Sequence, residues 1–295
     1  MRRRTFVSAL GAGLALPLLV RAQQRSDPKI GFLHPGEMPL ADLRIGAFLD
    51  GLRAGRGQGA PDVNILARTA RGDPNLLPAL TIELIDEKVD VILAVSPLAV
   101  RAARAGTTTI PIIGLDLESD PVAMGWVDSL ARPGGNLTGI FLDLPELRAK
   151  CLELLSEAVS GLTRVGVFWD PATGALQREG AAAAAAQLGL EPQVIEFDNV
   201  SALEPSFRSA ASSAVGGLLL LSSPVFGVHT RMIADLSVRY RLPTITLFPE
   251  FAQDGGMLAY GPDLQGLYRQ AGLMAAQILR GVGPPSLPLQ RPTLL

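Results

Sequence analysis

The sequence predicts an α/β protein of two lobes, each with a parallel sheet flanked by helices, and with a cleft between the lobes. Three observations predict this architecture. Short apolar runs alternate with amphipathic or alanine-rich segments along most of the chain, as strands and helices do in βαβ units. The alternation occurs in two successive series of similar element order. Aromatic residues make up 5% of the chain and hydrophobic residues 48%, which favours helices packed on buried sheets over a β-sandwich.

The first series opens with an apolar strand and adds three more, each separated from the next by a helix. We predict strands at residues 29–33, 63–69, 89–95 and 110–115. The third of them is almost continuously apolar, as expected for a strand buried on both faces of a sheet. We predict helices at residues 40–54, 76–88 and 96–104. Ser96-Pro97 opens the last helix, because a Ser side chain caps free N–H groups and Pro suits the first helical turn.

Residues 110–143 connect the two series. Asp120-Pro121 predicts the start of a short helix, because an Asp side chain accepts hydrogen bonds from the free N–H groups there. The run from Arg132 to Asn136, with its Gly-Gly pair, predicts a tight reversal. A short strand at 138–142 then leads into the second series. We interpret this stretch as the first crossing between the lobes, beside the ligand cleft.

The second series repeats the alternation and then returns to the first lobe. We predict strands at residues 164–169, 193–197, 217–221 and 244–247. We predict helices at 146–159, through the alanine block 181–186, and at 202–214 and 229–240. A strand at 255–260 is expected to cross back, followed by an amphipathic helix at 264–281 and an extended tail. The predicted division is a first Rossmann-like lobe of 27–142 plus 256–295 and a second of 143–255.

Residues 1–22 have the pattern of a cleaved export signal. Arg2-Arg3-Arg4 precedes an apolar run at 7–20 that is shorter than the roughly 20 residues needed to span a bilayer. Arg3-Arg4-Thr5-Phe6 also resembles a twin-arginine signal, although flanking Ser and Lys residues are missing, so both export routes stay open. We therefore predict a periplasmic protein. Its single cysteine, Cys151, allows no internal disulfide and is expected in the core.

Buried strands in this chain repeatedly end in a polar or aromatic residue followed by proline. In open parallel sheets, ligands bind beyond the carboxyl ends of strands, where helix N-termini offer free N–H groups. A ligand carboxylate would suit the serines at such ends and a ligand ammonium the aspartates, while aromatic rings would supply apolar surface. Simple N-capping explains each polar residue equally well. The candidate ligand-binding residues are Ser96, Asp116, Asp120, Asp170, Ser222, Ser223, Phe248, Glu250 and Tyr260.

Other classes of function find little support in the sequence. No Gly-x-Ser-x-Gly, Walker or His-Glu-x-x-His motif is present, so we predict no catalytic residues. The two histidines, His34 and His229, have no Cys or carboxylate at metal-ligand spacing, and no metal or other cofactor is predicted. His34 follows the first strand and could contact a ligand, but a loop position explains it equally well. The net charge of −2 gives no basic surface for nucleic acid.

Three segments also carry a family resemblance. Residues 119–139, with the run SLARPGGNLTG, resemble the signature of one family of ABC-transporter substrate-binding proteins. Residues 250–262 and 278–281 resemble two further blocks of that family. The resemblance implies a fold like that of type I periplasmic binding proteins. It also implies a small ligand held between the lobes, amino acids being the ligands of better-described relatives, and docking on a membrane permease.

The expected function is therefore that of a periplasmic solute-binding protein of an ABC importer, which binds an amino acid or another small carboxylate. The expected mechanism is hinge closure, with hinge candidates at 141–143, 251–256 and 261–262. The expected partners are the ligand and an inner-membrane ABC permease, and the protein is expected to be a monomer. A periplasmic sensor that presents its ligand to a membrane receptor is an alternative. A third hypothesis is that the protein is an enzyme with the same fold.

Overall fold

The fold consists of two parallel sheets with helices on their faces, which confirms the predicted α/β class. The computed structural model describes residues 27–36, 38–57, 60–142, 145–197 and 199–292. The predicted export signal at 1–22 lies outside these ranges, as does Asp143 of the first hinge candidate. In the part of the chain that the structure describes, none of the helices has both the length and the apolar character needed to cross a membrane.

The first sheet is built from the first five strands of the chain. These are β1 (Lys29–His34), β2 (Asn64–Thr69), β3 (Val91–Val95), β4 (Ile112–Asp116) and β5 (Leu137–Phe141). All neighbouring strands are parallel, in the order β2-β1-β3-β4-β5. The connecting helices are α1 (Met38–Arg56), α2 (Leu77–Asp86) and α3 (Pro97–Gly106). The predicted elements of the first series are therefore all present, with ends shifted by a few residues.

The second sheet repeats this arrangement. Its strands are β6 (Arg164–Trp169), β7 (Glu191–Glu196), β8 (Gly217–Leu220), β9 (Thr244–Thr246) and β10 (Leu258–Ala259). The order β7-β6-β8-β9-β10 is equivalent to that of the first sheet, and all pairs are again parallel. The helices are α4 (Pro145–Ala158), α5 (Ala175–Gln187), α6 (Leu203–Ser212), α7 (Pro224–Val228), α8 (Thr230–Tyr240) and α9 (Pro249–Gln253).

The position of β10 differs from the expectation for residues 255–260. These residues do not yet cross back, because the backbone of β10 pairs with the free edge of β9 and completes the second sheet. The return occurs next, at α10 (Leu264–Leu279), which packs against α1 and the first sheet. The two helices approach closely at Gly272, where a side chain would collide with the Phe48 carbonyl. The second crossing therefore lies a few residues later than the predicted boundary at 256.

The signature run at residues 129–139 has a structural role in the first lobe. The Asn136 side chain donates hydrogen bonds to the carbonyls of Thr107 (3.1 Å) and Ile110 (2.8 Å), which fixes the loop before β4. Thr138 Oγ1 donates to the Leu287 carbonyl at 2.8 Å. That bond holds the tail, whose residue Gln290 pairs in parallel with β5. Because these bonds are internal, the run shapes the lobe without lining the cleft.

The segment after Asp120 is a turn and not the short helix predicted from Asp120-Pro121. Asp120 Oδ1 accepts hydrogen bonds from the N–H groups of Val122 (2.9 Å) and Ala123 (3.1 Å), as expected for a cap. The chain then reverses at Gly125, whose φ of +64° is outside the helical region. The capping prediction is correct, but the left-handed glycine ends the helical geometry after a single turn.

Candidate functional site

The main candidate site is a cavity between the two lobes, at the carboxyl ends of both sheets. In doubly wound sheets of this strand order, the connections that follow two neighbouring strands run to opposite faces of the sheet. A crevice opens between these connections, at the carboxyl ends of the strands. Loops after β1, β3 and β4 meet loops after β8 and β9 across this crevice, and the space left is about 40 Å³. The lining residues are His34, Pro35, Arg44, Val95, Ser96, Leu115, Leu117, Glu118, Ser222, Ser223, Gly227, Phe248, Leu264 and Tyr268.

Hydrogen-bond donors line one side of the cavity. The buried ring of His34 accepts a hydrogen bond at Nδ1 from the Gly36 N–H (2.9 Å), and its Nε2 lies 3.2 Å from Nη1 of Arg44. A neutral imidazole that accepts at Nδ1 carries its proton on Nε2. The Nε2–H group and the guanidinium therefore cannot satisfy each other, and both suit an acceptor such as a carboxylate. Within the described residues, Arg44 forms no ion pair with a carboxylate, although it lies over the Tyr268 ring at 5.7 Å.

His34 is held neutral by its surroundings. Burial is the main cause and the charge of Arg44 the second, and together they lower the pKa of the imidazole from 6.5 to about 3. An unfolded chain would bind a proton at His34 near pH 6.5, whereas the folded protein resists protonation down to about pH 3. The contribution of His34 to stability is therefore complete above pH 6.5 and is lost as the pH falls toward 3.

As the pH falls from 6.5 to 3.5, we expect the free energy of unfolding to decrease much less in a His34→Gln variant than in the wild type. The full linkage amounts to about 5 kcal/mol, since each pKa unit corresponds to about 1.4 kcal/mol, and about 4 kcal/mol of it falls between pH 6.5 and pH 3.5. Urea unfolding across this pH range measures the difference. NMR provides a direct check, because the His34 ring resonances should stay constant between pH 7 and pH 4.5. A ring that titrates near pH 6.5 would contradict the account.

Two buried carboxyl groups lie at another side of the cavity, Glu118 in its lining and Asp116 behind it. Asp116 ends β4, and its Oδ1 accepts hydrogen bonds from the N–H groups of Glu118 (2.9 Å) and Ser119 (3.0 Å). Its Oδ2 is buried and has no hydrogen-bond partner among the described residues. Burial raises the pKa of Asp116, and these N–H donors oppose the rise. For Glu118, burial first and the neighbouring charge of Asp116 second raise the pKa well above its usual range.

Glu118 also connects the two lobes. Its Oε1 receives a hydrogen bond of 2.5 Å from the Ser222 hydroxyl, which follows β8 in the second sheet. Gln177 holds Ser222 in place with two hydrogen bonds of 3.0 Å. Its Oε1 accepts from the Ser222 N–H, and its Nε2 donates to the Ser222 carbonyl. The Glu118–Ser222 bond therefore links the lobes directly across the cavity, and the structure is a closed arrangement.

Four of the sequence-predicted candidates line this cavity: Ser96, Ser222, Ser223 and Phe248. Ser96 has a φ of +85°, which is rare for a residue with a side chain, and its Oγ lies 3.4 Å from the Ala99 N–H of α3. Such strained residues concentrate at functional sites. Ser223 caps α7 through the Val225 N–H and donates to Asp170 Oδ2 at 2.7 Å. Their contact with a ligand remains a prediction.

The other predicted candidates lie beneath or beside the cavity. Asp116 is buried below the lining layer, and Asp120 caps its turn as described. Asp170 is buried behind Ser223 and caps the turn after β6 through the Ala172 N–H. Glu250 lies in the first turn of α9, and the Tyr260 carbonyl accepts a hydrogen bond from the Cys151 thiol at 3.5 Å. Cys151 is buried, and burial raises the pKa of its thiol to about 12.

Ten of the fourteen lining residues were absent from the predicted set, among them Arg44, Glu118 and Tyr268. Arg44 projects from α1 and Tyr268 from α10, and neither helix carries a local signal that distinguishes its cavity-facing residue from other amphipathic positions. Glu118 lies two residues beyond the β4 carboxylate, so a broader search of strand-end loops could have found it. Within the described ranges, no three His, Cys, Asp or Glu side chains come together as metal ligands.

Comparison with known proteins places this architecture in a family. Residues 29–293 match the ABC transporter substrate binding protein family. A tyrosine-binding protein of Clostridioides difficile is 24% identical over 276 residues, which cover 91% of this chain and 77% of that protein.

Two solved structures share the fold. A conserved domain protein of Vibrio cholerae has a TM-score of 0.83 at 22% identity, over 91% of this chain and 90% of that one. An ABC domain of Streptococcus pneumonia in complex with L-Trp has a TM-score of 0.81 at 21% identity, with the same coverage. Members of this family are solute-binding proteins that work with ABC permeases. Because the family match spans nearly all of the described chain, this protein belongs to the ABC transporter substrate-binding protein family.

Proposed function

We propose that this chain is the solute-binding component of an ABC importer and that it captures an amino acid or another small carboxylate between its lobes. The observation that carries the proposal is the polarity of the cavity. Arg44 and His34 present donors on one side, and Glu118 presents a carboxyl group on another. A zwitterion offers the complementary pair of groups, a carboxylate and an ammonium.

The remaining walls suit an apolar ligand body. Phe248, Tyr268 and Leu264 line the cavity beside the charged groups, and aromatic rings contribute large apolar area with little loss of side-chain freedom. The printed names of two similar proteins, a tyrosine-binding protein and a complex with L-Trp, support the choice of amino acids as the ligand class.

The mechanism that we propose is closure of the two lobes around the ligand, without chemistry on it. The Glu118–Ser222 bond joins the lobes when they are closed, and the space of about 40 Å³ is below the roughly 300–1,000 Å³ of typical ligand pockets. A ligand would therefore enter while the lobes are apart. We also propose that the protein is exported to the periplasm and acts there as a monomer. The cavity geometry is the same for an importer and a sensor, and it is the match to the ABC transporter substrate binding protein family that favours the importer.

Thermal unfolding of the chain from Gln23 onward, against amino acids and small carboxylates, tests this function. A ligand of the folded state should raise the midpoint temperature as its concentration increases, because it adds about 2.7 kcal/mol to the free energy of unfolding at 100 times Kd. An Arg44→Gln variant should lose most of the shift, because the ligand carboxylate loses its cationic partner. Arg101→Gln, at an exposed position on α3, should keep it. A folded wild type that no compound of either class stabilises would refute the proposed ligand class.

A further inference from the structure

Asp116 and Glu118 form a buried pair of acidic side chains, called here the carboxyl pair. Asp116 is fully buried and Glu118 is 5% exposed. The Glu118 N–H donates to Asp116 Oδ1 at 2.9 Å, and the two carboxyl groups are within hydrogen-bonding reach of each other. None of the ion pairs among the described residues includes either group. Two adjacent buried carboxylates repel each other strongly, so a pair of this kind retains one proton.

The hydrogen bonds around the carboxyl pair decide which member holds this proton. Asp116 Oδ1 accepts from two backbone N–H groups, those of Glu118 (2.9 Å) and Ser119 (3.0 Å), which stabilise a negative charge there. Glu118 accepts from one backbone N–H, that of Leu117 at 3.2 Å, and from the Ser222 hydroxyl. Asp116 Oδ2 is buried, and no described residue donates to it. A proton on Glu118 therefore has Asp116 Oδ2 as an acceptor that no other donor occupies.

The other ionisable groups near the carboxyl pair do not replace this proton. Of those that line the cavity, His34 is neutral, and burial raises the pKa of the Tyr268 phenol, which is therefore neutral too. Arg44 donates to Tyr268. A smaller space beside the cavity is lined by Arg148 and by Cys151, whose thiol is neutral because burial raises its pKa to about 12. Neither arginine forms an ion pair with the carboxyl pair.

A ligand ammonium can take the place of the shared proton. Glu118 lines the cavity, so an ammonium that enters there meets this carboxyl group first. The ammonium brings one positive charge and three N–H donors, and the proton leaves to solvent. The carboxyl pair together with its occupant carries one negative charge before and after the exchange, so no uncompensated charge is buried. A carboxylate ligand without an ammonium cannot make this exchange and leaves the proton in place.

We propose that Asp116 is a positioning residue of the ligand site, which shares a single proton with Glu118 until a ligand ammonium replaces that proton. Amino acids are then bound in exchange for a proton, whereas ligands that have only a carboxylate are bound without one. The pH selects between the two classes, because a high proton concentration opposes the exchange and favours the carboxylates that do not need it. This inference rests on the proposed solute-binding function.

Calorimetric titration of the wild type with two compounds tests the exchange. L-Tyrosine has an ammonium, and 3-(4-hydroxyphenyl)propionate has the same ring and carboxylate without one. Between about pH 5 and the pH at which the carboxyl pair loses its proton, both ligand carboxylates are ionised. We expect the L-tyrosine affinity to fall about tenfold per pH unit in this range and the propionate affinity to change less than about twofold per unit. Equal pH dependence of the two affinities would overturn the exchange.

An Asp116→Asn variant tests the role of Asp116. The amide keeps an oxygen for the N–H groups of Glu118 and Ser119 but carries no charge, so Glu118 ionises more easily. We expect the fall in L-tyrosine affinity to begin at least about one pH unit lower than in the wild type. Asp120→Asn is the matched control, because Asp120 Oδ1 also accepts from two backbone N–H groups in the same loop. This control should keep the wild-type pH profile.

The outcomes separate the carboxyl pair from the solute-binding function. The same pH profile in the wild type and in Asp116→Asn would overturn the role of Asp116 and leave the solute-binding function intact. A wild type that binds neither compound would overturn the proposed ligand class and with it the exchange.

Carbon-13 NMR of the ligand-free wild type covers the case in which Asp116→Asn does not fold. Groups that share a proton titrate as a pair. We therefore expect the side-chain carboxyl resonances of Asp116 and Glu118 to move in the same titration step. Independent titration of the two resonances would overturn the shared proton, whatever the ligand of the protein is.

Discussion

Replacing Glu118 by Gln should weaken the binding of an α-amino acid by about 100-fold or more, while the protein remains folded. The variant keeps the side-chain shape and a hydrogen-bonding oxygen for Ser222, but it cannot ionise. The ligand ammonium then lies in a buried site without a charged partner, and the loss of one partner from such a pair costs about 2–5 kcal/mol. Since each 1.4 kcal/mol corresponds to about tenfold in affinity, a loss of this size is measurable by calorimetry.

The same carboxyl group makes binding depend on pH. The pKa of Glu118 is raised, so the folded protein without ligand retains a proton at pH values above the ordinary 4.5. Pairing with an ammonium requires the ionised form, so binding releases this proton. The affinity should therefore fall by about tenfold per pH unit below the raised pKa. The stability of the protein without ligand depends on pH in the opposite direction. A carboxyl group with a raised pKa makes the folded protein less stable as the pH rises from 4.5 through the raised pKa.

Calorimetry in buffers of different ionisation enthalpy counts the released protons. We expect the wild type to release protons on binding at pH values between 4.5 and the raised pKa of Glu118, and the Glu118→Gln variant to release fewer. Glu83→Gln is the matched control, because Glu83 pairs with Arg68 on the surface and lies away from the cavity. If the Glu118→Gln variant bound the ligand with the affinity of the wild type, Glu118 would not be the partner of the ligand ammonium.

Replacing Gly139 by Ala should destabilise the first lobe by about 3 kcal/mol or more, because two penalties act at one position. Gly139 has a φ of +145°, which residues with a side chain rarely adopt. A Cβ atom there would also collide with the carbonyl oxygen of Gly114 on the neighbouring strand β4. Gly114 and Gly139 are paired residues of a buried parallel sheet, so neither strand can move aside without the loss of ladder hydrogen bonds.

Gly135→Ala, in the same signature run, is the control for this variant. Its Cβ would meet no other atom within 4 Å, the residue is exposed, and its φ is not positive. We expect a change of less than about 0.5 kcal/mol, as is usual for surface substitutions. Urea unfolding measures both variants. Equal stability of the two variants would show that the sheet accommodates a side chain at Gly139 and would contradict the packing seen here.

The fold could be predicted because its signals are local. The apolar runs of β3 and β8 and the Ser96-Pro97 cap each predict an element from a few neighbouring residues. Parallel pairing follows from the alternation of strands with helices. Local signals failed where a distant partner decides the outcome. The short β10, for example, joins the second sheet because β9 offers a free edge. The turn after Asp120 is a different case, because the left-handed Gly125 that ends it is a nearby residue whose signal the prediction did not use.

The candidate site, like the fold, could be predicted from the sequence only in part. Polar residues that follow buried strands are visible in the sequence, and parallel strands bring Ser96, Ser222 and Phe248 to one crevice because their carboxyl ends share an edge. Which helical residues face that crevice depends on how the helices pack. Arg44 and Tyr268 lie far apart in the chain and meet because α1 packs on α10. Likewise, Glu118 meets Ser222 of the other lobe across 104 positions of sequence, through packing that no local pattern records.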